Sequence, residues 1–147
     1  MTSTWTHRTR RTLAVAGFSL AGVLLASEAQ AQGQSAAAAT GDYLFRTYCA
    51  ACHGTSAKGD GPLADSMRKR PSDLTEIAKR NKGVFPRDLV LKMVDGREPV
   101  KGHGGPDMPV WGDVFARSAG GADPGVVKTR LEALVAYLEA IQSRTAF

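Results

Sequence analysis

Apolar positions recur at helical spacing in three stretches of the chain, and between them the periodicity gives way to glycine and proline. Leu44, Phe45, Tyr48, Cys49 and Cys52 lie three to four residues apart, which predicts a helix with Thr40 as N-cap and Asp42 in its first turn, stopping at His53-Gly54. Leu89, Val90, Met93 and Val94 predict a second helix, with Pro86 in its first turn and an end at Asp95-Gly96; Met93 is expected in the core. Leu131, Leu134, Val135, Leu138 and Ile141 mark the third and clearest, with Asp123 as N-cap and Pro124 at the first helical position. Its stripe needs a partner, and the first helix is the obvious one, because Gly41, one turn before Phe45, lets two backbones come close. Gly59, Gly61, Pro62, Pro71, Gly83 and Pro86 punctuate the middle of the chain, so loops with short helical turns at 61–67 and 72–80 are expected there, and no sheet. Residues 98–112, with Gly102, Gly104, Gly105, Pro106 and Pro109, read as a loop. The expected fold class is all-α.

A different pattern stands at the front. His7, Arg8, Arg10 and Arg11 precede an apolar run from Leu13 to Ala26, and Ala29-Gln30-Ala31 gives a small-x-small cleavage site before Gln32. The run is short against the roughly 20 residues of a bilayer span, so residues 1–31 are read as a secretory signal and not as an anchor. The Arg10-Arg11 pair is read as ordinary charge of that signal. Residues 32–40 are small, polar and alanine-rich, an expected flexible lead-in, and 41–147 form one domain.

Charge changes the picture little. The whole chain carries +5, but residues 1–31 hold three arginines and one glutamate, so 16 Lys+Arg against 13 Asp+Glu remain, or +3. With no interleaving of aromatic and basic residues, a nucleic-acid partner is not indicated. Export to an oxidising compartment makes the chain's two cysteines notable, since both fall in Cys49-Ala50-Ala51-Cys52-His53. Two thiols two residues apart and followed by histidine are what covalent haem attachment requires: each thiol adds across one vinyl group, and His53 ligates the iron. A structural zinc or an iron–sulfur cluster wants four protein ligands, and there is no third cysteine. A thioredoxin-like pair wants a βαβ setting, whereas a glycine-rich loop follows here, and a plain disulfide would leave His53 without a purpose.

Other residues gather around that motif. A carbonyl near Pro62 is one candidate to accept the Nδ1 hydrogen of His53, with a turn proline as the alternative. Arg68, Lys69 and Arg70 form a basic run that either faces solvent or meets the haem propionates. Met108, alone in the glycine- and proline-rich loop, is the candidate thioether ligand on the far side of the haem, with Met67 in reserve and His103 as a competing imidazole. Trp111 either donates its indole N–H to a propionate or packs on the haem edge.

On these motifs the mature chain resembles the class I monohaem c-type cytochromes of the bacterial periplasm. The resemblance spans nearly all of 41–142 and rests on Gly41 and Phe45 before Cys49-x-x-Cys52-His53-Gly54, on Gly59-Asp60-Gly61-Pro62, Pro71-Ser72-Asp73-Leu74-Thr75, Met108-Pro109-Val110-Trp111-Gly112 and Leu134-Val135-Ala136-Tyr137-Leu138. It implies a small cytochrome c fold in which the first and last helices cross, Gly41 and Phe45 against Leu134 and Tyr137. It further implies one haem c on Cys49 and Cys52, with His53 and Met108 as iron ligands. The short, glycine-rich middle departs from the mitochondrial pattern, so that group's propionate ligands and lysine docking ring are not carried over.

The function expected is one-electron transport in the periplasm, not catalysis. The partners expected are a dehydrogenase or quinol-oxidising complex as donor and an oxidase or reductase as acceptor, met by a monomer. The alternatives are an open or His-ligated distal site serving a gas sensor or a peroxidase-like enzyme, and a cytochrome subunit of a larger oxidoreductase.

Overall fold

The computed structural model describes residues 19–98, 108–118 and 123–143, with side chains from Gln32 onward. Among the described residues six α-helices follow one another: α1 (Ser19–Tyr48), α2 (Ala50–His53), α3 (Ile77–Arg80), α4 (Arg87–Asp95), α5 (Trp111–Ser118) and α6 (Pro124–Ala140), with 3-10 turns at Ala64–Ser66 and Leu74–Glu76. Among the described residues there is no strand, and no helix is long and apolar enough to cross a membrane. The chain divides into two compact units, Met1–Gln32 and Gly33–Phe147. The first is described only from Ser19, as helix; the second holds the core and the site.

Two expectations at the start of the domain are corrected. The stretch 32–39, expected as a flexible lead-in, is helical, because alanines 36–39 have the highest helix propensity and nothing among them breaks the helix. Thr40 is therefore no N-cap: it lies inside α1 and its hydroxyl donates to Ala36 O at 3.1 Å. Asp42 instead pairs with Arg46 one turn on, at 2.9 Å.

The core is built on α6, whose Val127, Leu131, Ala133, Leu134, Val135 and Leu138 are buried, together with Leu44 and Phe45 of α1, Val90 and Val94 of α4, and Phe115 of α5. Asp123 caps α6 through Oδ1, which accepts from Gly125 N at 2.8 Å. The expected crossing is present. A Cβ on Gly41 would stand 2.0 Å from Ala133 O and 2.7 Å from Tyr137 Cβ, and the Phe45 and Tyr137 rings meet at 5.2 Å. Only glycine allows the backbones of α1 and α6 to come so near.

Helix α5 was not expected, since Trp111 and Gly112 read as the end of a loop. It places Trp111 and Phe115 one turn apart, where they pack with Tyr48 of α1 in a three-ring cluster with centroids 5.4–6.0 Å apart. The Arg130 guanidinium sits 6.0 Å over the Phe115 ring. Gln142, past the end of α6, accepts from Ala78 N and donates to Leu74 O and Leu138 O, all within 2.8 Å. That one side chain ties the middle of the chain to the last helix.

Candidate functional site: a thiol–imidazole cradle between two cavities

Helix α1 ends at Tyr48, and after Cys49 the chain resumes as the single turn α2, so Cys49, Cys52 and His53 fall within one turn of backbone. Cys49 O accepts from Cys52 N and from His53 N, at 3.1 and 2.9 Å, which fixes that turn. Both thiols are free and half-buried. Burial, aided by the neighbouring Cys52, pushes the Cys49 thiol up to about 12.

The loop after Gly54 folds back on α2. Gly59 N donates to His53 O at 2.8 Å, Gly61 N to Cys52 O at 3.2 Å and Leu63 N to Ala51 O at 3.0 Å. The next pass of the chain lies directly on this loop: Leu74 N donates to Ala57 O at 2.7 Å, and a Cβ at Gly59 would stand 2.1 Å from Pro71 O. With φ at +76°, Gly59 both makes the turn and leaves room for the Pro71–Ser72 backbone. That close pass brings Ser72 O to 3.3 Å from His53 Nδ1.

The acceptor facing His53 Nδ1 is thus Ser72 O and not a carbonyl near Pro62. Pro62 sits exposed in the turn whose flanking amides, those of Gly61 and Leu63, are spent on Cys52 and Ala51. With Nδ1 held as donor, Nε2 is the ring nitrogen left to bind a metal. Burial lowers the pKa of His53, against the opposing pull of the Ser72 carbonyl, and so favours the neutral ring that ligation needs.

Two cavities, of about 380 and 340 Å³, adjoin this turn and share Cys49, His53, Ser72 and Met108 among their lining residues. The larger is walled mainly by apolar side chains, Phe45, Leu74, Ile77, Leu89, Val90, Val94, Leu134 and Leu138 among them. The smaller holds Cys52, Tyr48, Leu63 and Trp111. Met93 lines the larger cavity from α4, half-buried rather than lost in the core, and Met67 lines the smaller. Met108 lines both and is 39% exposed. His103 lies outside the described residues. Among those described, no group of three or more His, Cys, Asp or Glu is placed to hold a metal ion by itself.

The donor set fits a c-type haem: two thiols on one turn, a neutral imidazole with its second nitrogen anchored, and apolar space on either side of it. A family model described as cytochrome c oxidase, cbb3-type, subunit III matches residues 36–95, the stretch that holds the thiols, the imidazole and the Ser72 carbonyl. The match over these residues indicates a c-type cytochrome domain. Its fold is the small all-α cytochrome c fold, and a domain of this type implies a covalently bound haem c and haem-based electron transfer. No match was found among curated proteins or among solved structures.

Two contributors to this cytochrome site escaped the sequence reading. Ser72 lies 19 residues from His53 and stood only as part of the Pro71–Thr75 motif, with no role at the imidazole. Leu89 seemed one more apolar residue of α4, yet it is 38% exposed and faces the larger cavity.

Proposed function

We propose that the mature chain is a periplasmic one-electron carrier holding a single haem c, bound through thioethers at Cys49 and Cys52 and ligated by His53 and Met108. The observation that carries this reading is the placement of Met108. Of the described methionines it alone lines both cavities together with His53, whereas Met93 and Met67 line one each. Haem c would supply a one-electron Fe(III)/Fe(II) couple, and a thioether from Met108 together with the His53 imidazole would favour the ferrous state. With the iron held by both of these residues a substrate would find no open coordination site, which would leave electron exchange as the function.

The chain's own residues then have separate tasks. Ser72 O orients His53, the α1–α6 crossing holds the turn that carries both thiols, and Trp111 packs beside the Cys52 cavity against Tyr48 and Phe115. Residues 1–31 direct export and are removed after Ala31, and the carrier docks transiently on a donor dehydrogenase or quinol-oxidising complex and on an acceptor oxidase or reductase. A second reading, a cytochrome subunit fixed within a larger oxidoreductase, is favoured by the description of the matching family. Co-purification with a stoichiometric partner would select it.

The deciding experiment is an optical spectrum of the ferric protein, wild type and Met108→Ala, recorded over the long-wavelength region where sulfur-ligated ferric haem absorbs weakly. The reading expects the band in the wild type, its loss in the variant, and a new ability of the variant to bind carbon monoxide when reduced. A wild type without the band, or a variant that keeps it, overturns Met108 as ligand.

A further inference from the structure

We infer that Gln142 is a positioning residue for the His53 imidazole: its side-chain amide fixes the segment 72–78 against the end of α6 and so sets the hydrogen bond between His53 Nδ1 and Ser72 O. The inference rests on the haem c reading above. Gln142 is half-buried just past α6, and its amide is fully used. Nε2 donates to Leu138 O at 2.6 Å, one of the last carbonyls of α6, a group that the end of a helix leaves over, and to Leu74 O at 2.8 Å. Oε1 accepts from Ala78 N at 2.8 Å, an amide in the first turn of α3 that a helix start leaves over in the same way. One side chain therefore joins the end of α6 to both ends of the stretch 74–78.

The segment so held carries part of the site. Ser72, Leu74 and Ile77 line the larger cavity together with His53. On one side the segment rests on the loop after α2, through Leu74 N to Ala57 O at 2.7 Å. The bonds that Asp73 makes with Thr75 and Arg80 stay within residues 73–80 and move with them. Support from α6 comes through Gln142, and through Ser143 N, which donates to Thr75 O at 2.8 Å. His53 Nδ1 meets Ser72 O at 3.3 Å, so lengthening by about 0.3 Å breaks the bond. A segment anchored on both sides cannot make that shift, whereas one released from α6 can.

The test is NMR spectroscopy of the 15N-labelled ferrous holoprotein, following the Nδ1–H resonance of His53 and its exchange with water, with the midpoint potential measured alongside. Gln142→Met, of similar length but without the amide, should move the resonance upfield and speed its exchange about tenfold. It should also raise the potential, because a weaker bond at Nδ1 makes the imidazole a poorer ligand for ferric iron. Gln142→Glu, which keeps an acceptor for Ala78 N but has no donor for Leu74 O, should move all three readouts in the same direction. Val127→Ala is the control: Val127 is buried in α6 and lines neither cavity, so its truncation should lower stability and leave the resonance and the potential in place. Either Gln142 variant with the resonance and the potential unmoved, or a Val127→Ala protein that moves them as far, overturns the assignment while leaving the carrier reading intact. A wild type whose haem is removed by acid and acetone overturns both.

Discussion

Replacing Gly41 by alanine should destabilise the domain, although the same change within a helix ordinarily stabilises it. By backbone entropy and helix propensity alone, Gly→Ala inside a helix contributes about 1 kcal/mol in favour of folding. At Gly41 the new methyl would stand 2.0 Å from Ala133 O and 2.7 Å from both Ala133 C and Tyr137 Cβ, so α1 and α6 must part by roughly 1.5 Å to restore ordinary contact. The obstacle is backbone and cannot rotate away. Overpacking of this kind costs about 3 kcal/mol, at the upper end of the usual range. Parting the helices also loosens the Phe45–Tyr137 contact at 5.2 Å, for about 1 kcal/mol more. Setting the helix gain against these leaves a net loss of about 3 kcal/mol, and for a domain of this size a fall in Tm of about 10 °C. Thermal unfolding of the holoprotein followed by far-UV circular dichroism measures it. Gly33→Ala is the control in the same helix, because nothing lies within 4 Å of its Cβ position, and its Tm should hold or rise slightly. A Gly41→Ala protein as stable as the wild type would refute the close crossing on which the placement of the thiols depends.

Three further outcomes follow from the same geometry. Gly59→Ala forces a methyl onto Pro71 O at a φ of +76°, so it should cost about 2 kcal/mol in denaturant titration, and by displacing Ser72 O from His53 it should raise the midpoint potential; an unchanged potential would mean that the carbonyl does not tune the imidazole. Phe115→Ala removes a fully buried ring that touches Tyr48, Trp111 and Arg130, and should lower the free energy of unfolding by about 4 kcal/mol; a loss below 1 kcal/mol would place the ring outside the core. The Thr75 hydroxyl and amide donate to Asp73 and hold its carboxyl below the usual carboxylate range, so its contribution is present above the ordinary value near ~3.9 and is lost as pH falls through the lower folded value. Urea unfolding at pH 7 and pH 3 should therefore show a smaller acid loss in Asp73→Asn than in the wild type, and equal losses would contradict the sign.

What could be read from the sequence follows from how local each feature is. The thiol–imidazole turn is contiguous, so five residues declared it. The α1–α6 crossing was legible because one glycine and two helical stripes specify it, and Asp123-Pro124 marks the start of α6 by chemistry confined to its first turn. Features that depend on segments meeting in space were not legible. Ser72 reaches His53 only because Gly59 admits the passing backbone, and no local pattern announces that contact. Pro62 was a reasonable neighbour by distance along the chain, but the amides flanking it turned toward α2. Helix α5 was hidden by Gly112 and the preceding prolines, although Trp111 and Phe115 one turn apart carried a helical signal. The alanines at 36–39 suggested a featureless lead-in, yet alanine is the residue that best continues a helix already begun.

The central claim, one haem held covalently by Cys49 and Cys52, is tested most directly by the intact mass of the purified protein after denaturation and acid–acetone extraction. The expected result is a chain beginning at Gln32 whose mass exceeds that of its polypeptide by one haem, with the excess reduced or lost in Cys52→Ala. A mass equal to the bare polypeptide, with the haem recovered in the extract, would contradict it.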